Sequence, residues 1–147
     1  MTTYTIERAE YNEYDGELVR YILEMSPQLS ELFGGALDFR ATDYKYLLTE
    51  CNFMVCKKDG KIVGHLISHL GGTPLDKNIK ILRAISFHVR PNNSRAAYLL
   101  FNNFIDIGKD QANHIITALT SHSNIKPQTL EKYGFKELET LYRMEIK

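Results

Sequence analysis

The segment Ile81–Ala112 constrains the fold of this chain more than any other, because an apolar run leads through a polar turn directly into an amphipathic stretch. Residues Ile81–Val89 are rich in β-branched and aromatic side chains, which is typical of a central strand covered on both faces. Pro91 removes a backbone donor and disfavours helix at Arg90, so the strand should end there.

A helix should begin immediately after the turn. Asn92, Asn93 and Ser94 are residue types that favour turns and helix N-caps through side-chain to backbone hydrogen bonds. Apolar residues then recur with helical spacing up to Ile107. A strand that runs through a short loop into a helix N-terminus brings unpaired N–H groups and the positive end of the helix dipole to one point. Such a point can bind phosphate, although β-α junctions that hold no ligand have the same pattern.

Length and charge predict one domain, residues 1–147, in the cytoplasm. A chain of 147 residues with 44% hydrophobic residues can bury one core. Eighteen basic and eighteen acidic residues cancel, so no global charge attracts nucleic acid or an anionic membrane. No apolar stretch approaches the roughly 20 residues that span a bilayer, and the first residues lack the basic and apolar regions of a signal peptide. We therefore expect neither nucleic acid nor membrane as a partner.

The cysteines and histidines do not form a metal-site pattern. Cys51 and Cys56 are the only cysteines, and their spacing suggests neither a disulfide framework nor a zinc site. His65 and His69 share a strand face by parity but would lie about 13 Å apart, too far for one ion. Sequence motifs of metalloproteases, α/β-hydrolases and P-loop nucleotide-triphosphatases are absent as well. We expect no metal.

Periodicity and turn residues predict an α/β fold with a mixed, mostly antiparallel twisted sheet flanked by helices, in the order β-α-α-(α)-β-β-β-α-β-α-β-β. Ser26-Pro27 should end the first helix, Asp59-Gly60 predicts a hairpin, and Gly71–Pro74 predicts a break. The predicted elements are a strand at Tyr4–Ala9, helices at Glu13–Met25, Gln28–Phe33 and Thr42–Leu48, strands at Asn52–Lys57, Lys61–Leu70 and Ile81–Val89, a helix after Ser94, a strand at His114–Thr120, a helix at Ile125–Tyr133, and strands at Phe135–Glu139 and Tyr142–Ile146.

Two motifs in the second half of the chain carry a family resemblance. Val89-Arg90-Pro91, then a polar turn with Arg95 and a helix with Leu99-Leu100, resembles the acetyl-CoA loop of the GNAT superfamily of N-acetyltransferases. Thr129–Phe135 resembles the second signature of that family, in which a short helix ends in a Gly-Phe that opens the next strand. The order and separation of the motifs also fit, and the resemblance runs from Phe53 to the C-terminus. Compact, glycine-poor variants of this kind resemble small phage-encoded GNAT-like proteins.

The resemblance implies a GNAT-like fold with acetyl-CoA as co-substrate, bound between two strands that diverge at Phe87–Val89 and Ala118–Thr120. The family pattern implies that the backbone of Phe87, His88 and Val89 holds the pantetheine arm and polarises the thioester carbonyl. Further cofactor contacts fall on the first turn of the following helix and on one later loop. These further residues are Ser94, Arg95, Ala96, Ala97, Ser123 and Asn124.

The helices after the first strand would form one wall of the acceptor site in a GNAT-like fold. The residues concerned also fit an ordinary amphipathic core face, and both interpretations stay open. They are Tyr21, Met25, Leu29, Leu32 and Phe33.

The chain departs from the family pattern at four places. Its loop is about two residues shorter than usual and has no glycine, which normally lets the backbone approach the phosphates closely. Arg83 stands where many members have a Glu or His as general base, and an arginine cannot be deprotonated in a protein. Leu130 stands where a tyrosine often acts as general acid, and Ser123 replaces a cofactor-contacting asparagine.

Other residues could supply the missing catalytic groups. His122 and His88 are the histidines whose pKa allows a base at neutral pH, and His122, beside Ser123, is the better candidate. Tyr133 could replace the missing acid. The alternatives are two ordinary histidines and an apolar packing position. A dedicated base is optional if the amine arrives neutral and is well positioned against the thioester.

The sequence thus predicts an acetyl-CoA-dependent N-acetyltransferase that moves an acetyl or short acyl group to an amine by direct attack in a ternary complex. The acceptor would be a small molecule or a protein. The alternative is a catalytically inactive GNAT-like protein that serves as an acyl-CoA sensor or as a protein-interaction module. A homodimer through the last strands is left open.

Overall fold

The computed structural model describes residues 1–10, 16–31, 44–118, 125–138, 142, 144 and 146, and for part of two helices it describes the backbone alone. The described residues form five strands and four helices in the order that the sequence predicts up to residue 132. The elements are β1 (Tyr4–Arg8), α1 (Gly16–Glu31), α2 (Tyr44–Glu50), β2 (Asn52–Lys58), β3 (Lys61–Thr73), β4 (Asp76–Val89), α3 (Ser94–Gln111), β5 (His114–Ile116) and α4 (Pro127–Lys132).

The strands form one mixed sheet in the order β1-β2-β3-β4-β5. Neighbouring strands are antiparallel from β1 to β4, whereas β5 is parallel to β4. A parallel pair needs a crossover, and α3 supplies it between β4 and β5. The mixed, mostly antiparallel sheet predicted from the sequence is therefore confirmed.

Two hairpins connect the consecutive strands β2, β3 and β4, and the sequence predicted only one of them. Asp59 (φ 50°) and Gly60 (φ 85°) both have left-handed backbone conformations, which the tight turn between β2 and β3 requires. The break predicted at Gly71–Pro74 is wrong for Gly71, Gly72 and Thr73, which continue β3 and pair with β4. The turn itself is at Pro74 and Leu75, and β4 already begins at Asp76. Cross-strand pairing over this long hairpin outweighs the weak strand preference of two glycines.

The first helix is longer than predicted. Ser26-Pro27 does not end it, because α1 runs from Gly16 to Glu31. A proline inside a helix removes one backbone bond and disfavours the turn before it, but the remaining bonds and packing can keep the helix intact. The short helix predicted at Gln28–Phe33 is therefore the end of α1, and its last two residues lie outside the described residues.

The last helix ends with the Gly-Phe signature that the sequence predicted. Gly134 has a φ of 94°, its N–H donates to the Glu131 carbonyl, and the Phe135 N–H donates to the Leu130 carbonyl. These two bonds define a Schellman cap, in which glycine takes the left-handed position. No strand ladder is described for residues 135–138, and the second predicted closing strand lies largely outside the described residues.

Each face of the sheet has its own core. On the face that α3 and α4 cover, apolar side chains pack around Leu100, Phe101 and Phe104. On the other face, α1 and α2 contribute Leu18, Tyr21, Ile22 and Leu48. Within the described ranges, no helix is long and apolar enough to cross a membrane.

Candidate active site

Strand β4 contains a β-bulge at Ile85. On β3, Ile67 pairs with Ser86 and Ser68 pairs with Ala84, so Ile85 is an extra residue without a partner in this ladder. A bulge shifts the alternation of the strand by one residue and changes where the following groups point.

The bulge reverses the direction of the β4 backbone groups. Before it, the backbone groups of Lys80 bind Asn113 on the β5 side. The Lys80 carbonyl accepts from the Asn113 N–H at 2.9 Å, and the Lys80 N–H donates to the Asn113 Oδ1 at 2.8 Å. After it, the Arg90 N–H donates to the Val63 carbonyl of β3 at 2.7 Å. Since backbone groups alternate along a strand, the N–H and C=O of Phe87 must point toward the β5 side.

On that side, the described part of β5 pairs only with the first half of β4. The parallel ladder joins Ile81–Arg83 to His114–Ile116, whereas β4 continues to Val89. The strand divergence predicted at Phe87–Val89 lies beyond this ladder. Its opposite side, residues 119–120, is outside the described residues.

The side chains of β4 after the bulge differ sharply between the two faces. Phe87 stacks on Phe101 with ring centroids 6.1 Å apart, and Val89 is buried in the same cluster. On the opposite face, Ser86 and His88 point toward His65. The α3 face of this site is therefore filled by aromatic packing, and its α1 face is polar.

The loop after β4 contains a left-handed residue although it has no glycine. Asn92 has a φ of 65°, the left-handed conformation that only Gly, Asn and Asp adopt readily. Asn93, one of the three residues whose types favour turns and N-caps, is the N-cap residue of α3. Its side chain makes none of the cap bonds expected from the sequence, and its Nδ2 donates back to the Arg90 and Pro91 carbonyls at 3.2 and 2.9 Å. The loop is closed by this asparagine pair.

The first turn of α3 separates the predicted phosphate-binding residues into two groups. Ala96 and Ala97 are buried, and their N–H groups donate to the Asn93 carbonyl at 3.0 and 3.3 Å. Ser94 and Arg95 are exposed, and first-turn amides have no intrahelical acceptor. An anion at this end would therefore meet the amides of Ser94 and Arg95, whereas the two alanines let the helix approach the sheet.

Tyr133 lies on the α3 side of the sheet. Its hydroxyl donates to the Asn102 Oδ1 at 2.6 Å, and its ring packs edge-on against Phe101 with centroids 5.2 Å apart. Partial burial and the neighbouring Tyr98 raise its pKa, so the hydroxyl is protonated at neutral pH. Leu130, at the usual acid position, packs against the same core. His122, Ser123 and Asn124 lie outside the described residues.

A buried polar network on the α1 face was not predicted. His65 is 0% exposed, and both its ring nitrogens are paired: Nδ1 lies 2.8 Å from the Tyr21 hydroxyl and Nε2 lies 2.7 Å from Ser86 Oγ. The Tyr21 hydroxyl is also 3.3 Å from the His88 carbonyl oxygen. The network therefore joins α1, β3 and the β4 segment directly after the bulge.

Burial determines the charge state of this network. Desolvation, with a smaller contribution from His88, lowers the pKa of His65 to about 3, so its imidazole is neutral. Burial also raises the pKa of Tyr21, against the opposing effect of Arg90. The Arg90 guanidinium lies 5.3 Å from the centre of the Tyr21 ring and forms an ion pair with Glu24 at 2.8 Å.

Only half of this network could have been found in the sequence. Once β3 and β4 are paired, strand parity places His65, Ser86 and His88 on one face. Tyr21 has no such signal, because it lies 44 residues from His65 on a helix whose apolar stripe includes it. Arg83, at the usual base position, is exposed on β4 before the bulge. Among the described side chains, no cluster of His, Cys, Asp or Glu could hold a metal ion.

Sequence comparison and structure comparison give different results for this chain. No protein-family model matches it, and no curated protein sequence matches it. Many solved structures match over nearly the full length, at low sequence identity.

Three of these structures illustrate the similarity. An acetyltransferase from Trypanosoma brucei has a TM-score of 0.71 at 16% identity, over 98% of this chain and 100% of its own. Glucosamine-6-phosphate N-acetyltransferase from Arabidopsis thaliana has a TM-score of 0.72 at 13% identity, over 99% of both chains. An aminoglycoside acetyltransferase from an uncultured soil metagenomic sample has a TM-score of 0.69 at 15% identity, over 99% of both chains. The chain therefore has the fold of the GNAT acetyltransferases, which its two motifs predicted.

Proposed function

We propose that this protein is an acetyl-CoA-dependent N-acetyltransferase, which moves an acetyl or similar short acyl group to an amine by direct attack in a ternary complex. The observation that carries the proposal is the bulge at Ile85, since it turns the Phe87 backbone toward the side of β4 where the described β5 ladder has ended. A strand edge of this kind can hydrogen-bond an extended amide-containing arm.

The residues around this edge fit acetyl-CoA. An N–H on the β5 side can polarise a thioester carbonyl, and the direction of the β4 backbone favours Phe87 over His88, whose backbone groups point toward β3. Val89 remains a proposed contact. The Ser94 and Arg95 amides, the Arg95 guanidinium and the positive end of α3 suit a pyrophosphate. Buried Ala96 and Ala97 leave the approach unobstructed, and Ser123 and Asn124 remain proposed contacts.

Acyl transfer in this site depends mainly on positioning. The edge of β4 would hold the thioester, and the amine lone pair must reach its carbonyl carbon, which can supply much of the rate. Tyr133, protonated at neutral pH, is the proposed acid for the departing thiolate, after its hydroxyl exchanges Asn102 for the sulfur. His122 remains the proposed base. The similar structures include enzymes named for aminoglycosides and for glucosamine 6-phosphate, which supports a small-molecule amine as acceptor.

The second candidate is an acyl-CoA sensor or an interaction module without catalysis. Two observations favour it: Leu130 packs into the core at the usual acid position, and the Tyr133 hydroxyl already binds Asn102. The binding site for the cofactor would be unchanged in the sensor and lost in the module.

A thiol-release assay separates these functions. Purified protein is mixed with acetyl-CoA and, in separate reactions, with an aminoglycoside, glucosamine 6-phosphate, spermidine and a lysine-containing peptide. Amine-dependent release of CoA, with intersecting lines when both substrates are varied, is the expected result for a ternary complex. If acetyl-CoA binds but no amine gives turnover, the protein is the sensor. If acetyl-CoA neither binds nor turns over, this result contradicts both acyl-CoA functions.

A further inference from the structure

The α1 face of β4 is the side from which an acceptor can reach Phe87, and this inference rests on the proposed function. The opposite face is closed, because Phe101 stacks on the Phe87 ring and is itself 1% exposed. On the α1 face, the polar side chains that flank Phe87 along β4 are Ser86 and His88; both are partly exposed, and the Oγ of Ser86 is bonded to His65.

Hydrogen-bond counting assigns the protons of the network. If Ser86 donates to His65 Nε2, then Nδ1–H donates to the Tyr21 oxygen and the Tyr21 hydroxyl donates to the His88 carbonyl. In this arrangement every proton has an acceptor. In the other tautomer, the Tyr21 hydroxyl donates to Nδ1 and Nε2–H donates to Ser86, so no proton lies between the buried Tyr21 oxygen and the His88 carbonyl oxygen 3.3 Å away. Because buried polar groups are normally satisfied, we assign the first arrangement.

We propose that Ser86 is the residue that binds the acceptor amine, and that Tyr21 and His65 are positioning residues that fix its hydroxyl. With its proton directed to His65, Ser86 Oγ presents only lone pairs and accepts an N–H from the amine. The amine lone pair is then left for the acyl carbon beside Phe87. A serine hydroxyl that donated outward would instead bind this lone pair and block attack.

Ser86 forms no covalent bond and keeps its proton in this arrangement. The His65 imidazole is enclosed and neutral, so it orients the serine and takes no proton. Only the free-base form of the amine has a lone pair for attack, and His65 does not generate this form.

Kinetics with one of the amines from the thiol-release assay test the proposal. Ser86→Ala should lower kcat/KM for the amine by about tenfold, while KM for acetyl-CoA changes less than about twofold. Ser86→Thr keeps the hydroxyl and should restore most of the activity. Ser68→Ala is the matched control, because Ser68 is a buried β3 serine whose Oγ lacks a hydrogen-bond partner. Equal activity of Ser86→Ala and wild type, or no rescue by threonine, overturns the proposal.

A second measurement needs no turnover. Nitrogen-15 NMR of histidine-labelled protein should show His65 as the neutral Nδ1–H tautomer, and Tyr21→Phe should change this signal while Ser68→Ala does not. The Nε2–H tautomer or a charged ring at neutral pH overturns the assignment. Absence of acetyl-CoA-dependent turnover by the wild type refutes the proposed function and, with it, the role of Ser86. Turnover that is unchanged in Ser86→Ala refutes only the role of Ser86 and leaves the proposed function intact.

Discussion

The two faces of β4 after the bulge are built on different principles. Phe87 and Val89 point into an apolar core around Phe101, whereas Ser86 and His88 point toward the buried His65. Apolar packing tolerates substitutions of similar size and follows from the pattern of apolar residues. A buried polar network is stable only when every donor and acceptor has its partner. On the α3 face of β4, apolar packing therefore stabilises the fold. On the α1 face, the hydrogen-bond network fixes the positions of the polar side chains.

The largest effect is expected on the α3 face. Phe101 contacts the rings of Phe87, Phe104, Tyr133 and Phe135, so Phe101→Ala should lower the free energy of unfolding by about 3–5 kcal/mol. Tyr98→Ala, on the exposed side of the same helix, should cost about 0.5 kcal/mol or less. Urea denaturation measures both, and similar losses for the two variants would contradict the packing described here.

On the α1 face, removal of one hydroxyl should lower the free energy of unfolding by nearly as much as a small cavity in the core would. Tyr21→Phe leaves the ring in place but deprives His65 Nδ1 of its partner, which should cost about 1–3 kcal/mol. Tyr98→Phe is the matched control and should be neutral. A double-mutant cycle with Ser86→Ala should show coupling between the two sites, and strict additivity would show that they do not form one network.

The same network should make stability depend on pH. The pKa of His65 is about 3 in the folded chain and 6.5 when unfolded, so the unfolded state binds more protons between these values. The contribution of His65 is fully present above about pH 6.5 and falls with decreasing pH, by up to about 1.4 kcal/mol per pH unit. His65→Gln should flatten this slope, whereas His114→Gln, at an exposed histidine, should keep it. An unchanged slope in His65→Gln would exclude a buried neutral imidazole.

The smallest effect is expected in the loop that connects β4 to α3. Asn92 has a left-handed backbone, so Asn92→Ala should cost about 1 kcal/mol and Asn92→Gly much less. Thermal unfolding of the pair measures the difference. Equal stability of the alanine and glycine variants would contradict a left-handed backbone at Asn92.

Sequence reasoning recovered the parts of the fold that depend on local pattern. The strand that ends before Pro91, the helix that follows it, the Asp59-Gly60 turn and the Gly134-Phe135 cap all follow from propensities of neighbouring residues. It failed where tertiary contacts overrule such propensities. Gly71–Thr73 belong to β3 because β4 pairs with them, and α1 continues past Pro27.

The candidate site, like the fold, was predicted only in the parts that depend on local sequence. The motif at Val89-Arg90-Pro91 directed attention to the Phe87 backbone, but the bulge at Ile85 that orients it has no signal in a run of apolar residues. The pairing of His65 with Tyr21 depends on how α1 packs on the sheet, which no periodicity encodes. His122, Ser123 and Asn124 stay predictions, because they lie outside the described residues.

Calorimetric titration of acetyl-CoA into the purified protein shows whether the N-terminus of α3 binds the cofactor. We expect about one equivalent bound, with an affinity that Arg95→Glu weakens by tenfold or more and that Lys109→Glu, at the other end of α3, leaves unchanged. No detectable binding by the wild type, or equal loss in both charge-reversal variants, would contradict a cofactor site at the N-terminus of α3.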